Sequence, residues 1–166
     1  MKTTPSSQSK PFGILFVCLG NICRSPIAEG VFREHARRLG VEAKFFIDSS
    51  GTGAWHVGEA PHKESQNTTA QHGISIAHQR ARQLSPDDIE RFDLFIAMDR
   101  ENQRDILELF DAPDRVRCIR EFDEQAESLD VPDPYYGGKA GFAEVYSILD
   151  RSCEALLQYV MHDYLE

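Results

Sequence analysis

The sequence predicts an α/β fold: a single three-layer domain whose four-stranded parallel sheet is doubly wound by flanking helices. Three observations carry this. Short apolar runs alternate along the chain with longer segments of helical periodicity. Two of those runs, ILFV at 14–17 and FDLFIAM at 92–98, are continuous or nearly so, as in strands covered on both faces. The first run leads straight into a Gly-Asn pair and then a Ser-Pro pair, the composition of a strand, a sharp turn and a helix start. The 166 residues suffice for one domain with a sizeable core and hardly for two.

The elements follow in order. MKTTPSSQSK is polar and lacks an apolar stretch, so residues 1–10 read as a short disordered tail rather than a signal peptide, and the domain as 11–166. After the first strand, Ser25 is expected to cap a helix and Pro26 to open it. Ile27, Val31, His35 and Leu39 recur there at helical spacing until Gly40 closes it. Residues 44–48 (KFFID) read as the second strand and 49–58 (SSGTGAWHVG) as a loop. A helix from Pro61 to Gly73 and a mostly irregular 74–84 come next, then a short helix near Ile89 started by SPDD. The third strand is 92–98, Asp99 caps a helix through Phe110, and 116–122 is the fourth strand. Residues 123–141 form a long loop with two tyrosines near its end, of a length that in compact domains is usually functional. Phe142, Val145, Leu149, Cys153, Leu156 and Val160 then mark a long amphipathic helix. Such a chain folds with right-handed crossovers into a flavodoxin-like sheet, and the segments after all four strands share the rim where such sheets bind ligands.

Eighteen Lys and Arg against 27 Asp and Glu leave a formal net charge of −9. That excludes a general nucleic-acid binder but not a local anion pocket. No apolar run reaches membrane-spanning length. Cys18, Cys23, Cys118 and Cys153 are scattered unlike a disulfide framework or a zinc site. A reducing, cytoplasmic home is the simplest reading. No metal motif is visible and no cofactor is expected.

The chemistry concentrates in CLGNICRSP. Cys18 opens the loop and Arg24 closes it at a helix N-terminus, where backbone amides favour an anion. Such surroundings favour a thiolate, the nucleophilic form. Arg24 offers a planar fork for two phosphate oxygens. The amides of Leu19, Gly20, Asn21, Ile22 and Cys23 would take the others, leaving Cys18 in line with phosphorus. Ser25 is placed to hydrogen-bond the sulfur, and Asn21 to hold the turn with a left-handed backbone angle. A cysteine–phosphate mechanism also needs an acid for the leaving oxygen. Asp133 in VPDPYYG, stiffened between Pro132 and Pro134, is the candidate. A phosphate sensor without turnover is the competing class, and the presence of both Cys18 and Asp133 speaks against it. No Gly-Lys-Ser/Thr follows the loop, which disfavours a Walker-type site.

CLGNICRSP near the N-terminus and DPYYG before the last helix resemble the low-molecular-weight protein tyrosine phosphatases, over nearly the whole chain after residue 10. The resemblance implies that Cys18 is the nucleophile, that Arg24 binds phosphate and that Asp133 is the general acid. It implies a hydrogen-bond network through Ser49, His78 and Asp99 that holds the loop, although Asp99 also serves as a helix cap. Trp55, Tyr135 and Tyr136 are candidate walls of an aromatic slot with Leu19 and Ile22; the tyrosines also read as surface aromatics or kinase targets. Cys23 is either a small loop residue or a redox partner that protects Cys18, and the resemblance favours the latter. Related arsenate reductases use a close later cysteine pair, whereas Cys118 and Cys153 lie far apart. Phosphoarginine phosphatases usually carry threonine where Ile22 stands. The implied partners are phosphotyrosine proteins and a tyrosine kinase, with no nucleic acid or membrane, and the chain a monomer or weak dimer.

Overall fold

The computed structural model describes residues 10–135 and 137–165; the expected tail therefore lies almost wholly outside the described residues, as does Tyr136. Strand β1 (Phe12–Cys18) pairs with β2 (Phe45–Gly51) on one side and β3 (Leu94–Ala97) on the other, and β3 pairs with β4 (Val116–Cys118). All pairings are parallel and the order is β2-β1-β3-β4. This is the expected sheet.

The continuous apolar run of β1 has a direct cause. Ile14, Phe16 and Cys18 face a layer formed by α1 (Arg24–Arg38) and α5 (Gly138–Asp163), among Ile27, Val31, Val145 and Leu149. Leu15 and Val17 face the opposite layer, with Ile106 of α4 (Arg100–Leu109), Phe110 and Val116. Residues 14–17 are wholly excluded from solvent. Each such aliphatic or aromatic side chain contributes roughly 1.5–3 kcal/mol of burial. Two shorter helices, α2 (Lys63–Ala70) and α3 (Asp88–Arg91), complete the covering.

Several boundaries differ from expectation. The fourth strand ends at Cys118, because β3 offers partners only from Phe95 to Ala97. Beyond it, Ile119–Phe122 winds into a 3₁₀ turn, closed by the Glu121 carboxylate accepting from the Cys118 amide at 2.7 Å. The second strand runs on to Gly51, since β1 provides a partner for every residue up to Cys18↔Gly51, so Ser49 lies in a strand rather than a loop. The helix expected from Pro61 begins at Lys63, with the His62 ring accepting from the Glu64 amide. Asp99 does cap α4, its Oδ1 accepting from the Asn102 amide at 2.7 Å. Ser25 does not cap α1. The helix starts at Arg24, and the Ser25 hydroxyl is turned toward Cys18 instead.

The loop after β4 is tied to α5 by buried Asp123, which accepts from the Arg151 guanidinium at 3.1 Å and from the Gln125 amide at 2.9 Å. Burial pushes this carboxyl up, but the arginine and amide bonds outweigh it and hold it below the ordinary aspartate value, about 3.9. A carboxyl with a lowered folded-state pKa adds stability above its unfolded value, and that stability is lost as pH falls through the folded value. Melting followed from pH 6 down to pH 3 should therefore show a steeper loss below about pH 4 for the parent protein than for Asp123→Asn. Parallel curves would show that the pair is not linked to folding.

Candidate active site

Residues 18–25 wrap a small cup at the C-terminal end of β1. Asn21 adopts φ 59°, the left-handed angle that reverses the chain. Such an angle costs most side chains roughly 1–2 kcal/mol, and here the Asn21 side chain offsets it. Its Nδ2 donates to Ser25 Oγ at 2.8 Å and to Ser49 Oγ at 3.0 Å, and its Oδ1 accepts from the Arg82 amide at 3.0 Å. Ser49 passes the chain on, donating to Glu29 Oε1 at 2.7 Å. Glu29 is buried, and that burial pushes its carboxyl up, only partly opposed by the Ser49 hydroxyl and Arg33.

The loop carbonyls are pulled outward. Those of Cys18 and Leu19 accept from the amides of Thr52 and Gly53, that of Ile22 from the His62 amide, and that of Cys23 from the Ser65 hydroxyl. The amides of Leu19, Gly20, Ile22 and Cys23 have no acceptor among the described residues. With carbonyls turned out and amides unpaired, the cup favours an anion.

Cys18 Sγ lies at its floor, 2% exposed. It is 3.1 Å from Ser25 Oγ and accepts from the Asn21 amide at 3.3 Å. Arg24, also buried, donates through Nη1 to Asp99 Oδ2 at 2.7 Å and to the Val131 carbonyl at 2.9 Å. Burial works against its charge, but Coulomb interactions with Cys18, Asp99 and Asp133 and the hydrogen bond to Asp99 together hold the guanidinium above its ordinary value. It stays a cation at any working pH.

The loop after β4 is anchored to this cup. The Val131 amide donates to Met98 O at the end of β3, Arg24 holds the Val131 carbonyl, and Arg100 pairs with Asp130 at 3.0 Å. Two residues on, Asp133 is exposed, with Oδ1 accepting from the Tyr135 amide and Oδ2 3.7 Å from Arg24 Nη2. One carboxylate oxygen is thus fixed by its own turn while the other faces the cup.

A cleft of about 220 Å³ opens over Cys18 and is lined by Leu19, Ile22, Cys23, Arg24, Trp55, His56, Asp133 and Tyr135. Every described residue expected in the slot is therefore in one place. His56 is an addition, its ring beside Gly20 and 6.3 Å from the Tyr135 ring. Its position next to Trp55 on the rim was the available signal. His78 stands apart: it is exposed and forms no hydrogen bond to the loop among the described residues, so its expected place in the network is corrected. The links found instead are Glu29 and the Arg82 backbone, whose roles no local pattern marks.

Gly51 shows how tightly the loop is backed. A Cβ there would sit 2.7 Å from the Leu19 carbonyl oxygen and 3.1 Å from the Asn21 amide nitrogen. Gly51→Ala should cost about 1–3 kcal/mol in stability through overpacking, and should lower turnover because the displaced atoms belong to the cup. A melt and a rate measurement check both; an unchanged rate would show that the loop tolerates the shift.

Comparison with known proteins bears on the family and the fold. The family model for low molecular weight phosphotyrosine protein phosphatase matches residues 13–165. The chain is 41% identical over 152 residues to the low molecular weight protein-tyrosine-phosphatase YfkJ of Bacillus subtilis, covering 90% of this chain and 96% of that protein. It is 45% identical over 142 residues to the low molecular weight phosphotyrosine protein phosphatase of Schizosaccharomyces pombe, covering 84% and 90% respectively. The crystal structure of YfkJ matches the fold with a TM-score of 0.89 at 39% identity, over 95% of this chain and 99% of that one. A protein tyrosine phosphatase from Entamoeba histolytica, with Hepes in its active site, matches with a TM-score of 0.87 at 32% identity, over 91% and 97%. A thiol at the floor of an amide cup, an arginine clamped beside it and a family match spanning nearly the whole chain lead to one conclusion: the chain is an enzyme of the low molecular weight phosphotyrosine protein phosphatase family.

Proposed function

We propose that the enzyme hydrolyses phosphotyrosine in proteins, and small aryl phosphates, through a phosphocysteine on Cys18. The supporting observation is the meeting of three groups from distant parts of the chain: the Cys18 sulfur at the cup floor, Arg24 beside it, and an Asp133 oxygen 3.7 Å from Arg24. In the first step the Cys18 thiolate attacks phosphorus, the S–P bond forms and the P–O bond to the phenol breaks. Protonated Asp133 gives its proton to the departing oxygen. In the second step the Asp133 carboxylate takes a proton from water. The water oxygen bonds to phosphorus, the S–P bond breaks, and thiolate and inorganic phosphate are released. Arg24 and the loop amides offset the charge on the equatorial oxygens in both transition states.

The depth of the cleft supports phosphotyrosine over phosphoserine. The nucleophile is buried while Trp55 and Tyr135 stand at the rim, 71% and 40% exposed. A long flat side chain reaches the floor between them; a phosphoserine stem is too short to bring phosphorus there. Rapid acid quenching during turnover should trap phosphate on the Cys18 peptide. Turnover on phosphotyrosine peptides should exceed that on phosphoserine and phosphoarginine peptides. Phosphate trapped elsewhere, or a preference for phosphoarginine, would overturn the reading.

The same reading takes in reversible oxidation in a reducing, cytoplasmic setting. Cys18 and Cys23 are both free thiols lining the cleft. Burial, with repulsion from Cys18 and Asp133, pushes the Cys23 thiol up to about 12. Held protonated in this way, Cys23 does not compete with Cys18 for phosphate, and conversion of Cys18 to a neutral sulfenic acid removes the repulsion that Cys18 contributes. Peroxide converts Cys18 to a sulfenic acid. Attack by Cys23 sulfur then forms the disulfide and releases water. Peptide mass analysis after mild peroxide should find that disulfide; sulfonic acid at Cys18 alone would count against it.

A further inference from the structure

Trp55 has a second side. Beyond it and Leu19, beside the cleft over Cys18, lies a shallow groove between the loop after β2, the segment around Leu84 and the C-terminal half of α4. Leu19 and Trp55 line both depressions, so the groove lies directly beside the cleft, within reach of residues flanking a phosphotyrosine that enters it. Its walls are of two kinds. Leu19, Trp55, Leu84 and Leu109 form an apolar side, with Leu109 42% exposed. Asp105 and Glu108, one turn apart on α4, form an acidic side. Neither carboxylate forms an ion pair or accepts a hydrogen bond among the described residues, whereas Glu101 on the same helix pairs with Arg104 at 3.7 Å. Two carboxylates without partners beside apolar surface match a lysine or arginine side chain, whose apolar stem lies on Leu and Trp while its charged head meets acid.

We infer that this groove binds the substrate segment flanking the phosphotyrosine and selects for a basic residue there. The inference rests on the phosphotyrosine reading above and names the class of sequence the enzyme prefers. Exposed charge pairs contribute modestly and are screened by salt. A pair of carboxylates facing one cation should therefore raise kcat/KM by about threefold to tenfold, carried by KM.

The test uses the full chain and two families of phosphotyrosine peptides, identical except that one Lys is moved through the four positions on each side of the phosphotyrosine or replaced there by Glu. Para-nitrophenyl phosphate, too small to reach the groove, is the reference substrate. At low salt, Lys at one or more positions should raise kcat/KM over Glu, and the gain should shrink at high salt. The double variant D105N/E108Q should lose most of the preference while keeping the para-nitrophenyl phosphate rate; E101Q should keep both. Equal rates for Lys and Glu peptides at every position, or a preference that survives in the double variant, would overturn the inference. Failure to hydrolyse phosphotyrosine peptides and para-nitrophenyl phosphate alike would instead sink the phosphatase reading beneath it.

Discussion

Cys18→Ser is expected to keep the fold and lose hydrolysis of aryl phosphates by on the order of 10⁴-fold or more, the scale seen when a covalent nucleophile is removed. The side chain is buried and its neighbours are polar: Ser25 Oγ at 3.1 Å and the Asn21 amide at 3.3 Å. A serine hydroxyl satisfies both, so stability should change little. Reactivity should not survive. A hydroxyl holds its proton far more strongly than a thiol, and among the described residues no carboxylate or histidine hydrogen-bonds position 18 to remove that proton: Asp133 is directed toward Arg24. The assay is release of para-nitrophenol, with a thermal melt and phosphate-protected melting as controls for an intact cup. A variant within a hundredfold of the parent rate would mean that the sulfur is not the nucleophile.

Asp133→Asn should show a graded loss. Removing a general acid costs about 10²–10⁴-fold in the step that needs it, and that need grows with the basicity of the leaving oxygen. Turnover of phosphotyrosine should therefore fall more steeply than that of para-nitrophenyl phosphate, whose leaving group departs readily without a proton. Asn keeps the size of the side chain and its acceptor toward the Tyr135 amide, so the turn itself should persist. If both substrates slowed by the same factor, the effect would be loss of binding geometry rather than of proton transfer. If neither slowed, Asp133 would have no part in the chemistry.

Much of this molecule is legible in the amino-acid order because it is local. Asn21 needs a left-handed angle, and asparagine after glycine announces it. Asp99 caps a helix with its own side chain three residues before the amide it accepts from. The run at 14–17 is apolar at every position because both faces are covered. Where a strand boundary differs from its local pattern, the deciding partner lies elsewhere in the chain. Strand β4 stops where β3 runs out of partners, and β2 continues because β1 does. Ser25 reads both as a helix cap and as a partner of the sulfur, and its hydroxyl takes the second role, beside Cys18 and Asn21.

The amino-acid order alone determined the parallel α/β architecture and the loop that follows its first strand with a cysteine at one end and an arginine at the other, because residue type and short spacing suffice for each; Asp133, far along the chain, is marked by its Asp-Pro setting and a family resemblance and not by spacing. The folded chain alone decided which distant groups support them. Glu29 rather than His78 extends the Asn21–Ser49 chain, the Val131 carbonyl clamps Arg24, and His56 joins the cleft. Those contacts join residues far apart along the backbone. They depend on how helices and loops settle against the sheet, a matter of packing over the whole molecule that no short stretch encodes.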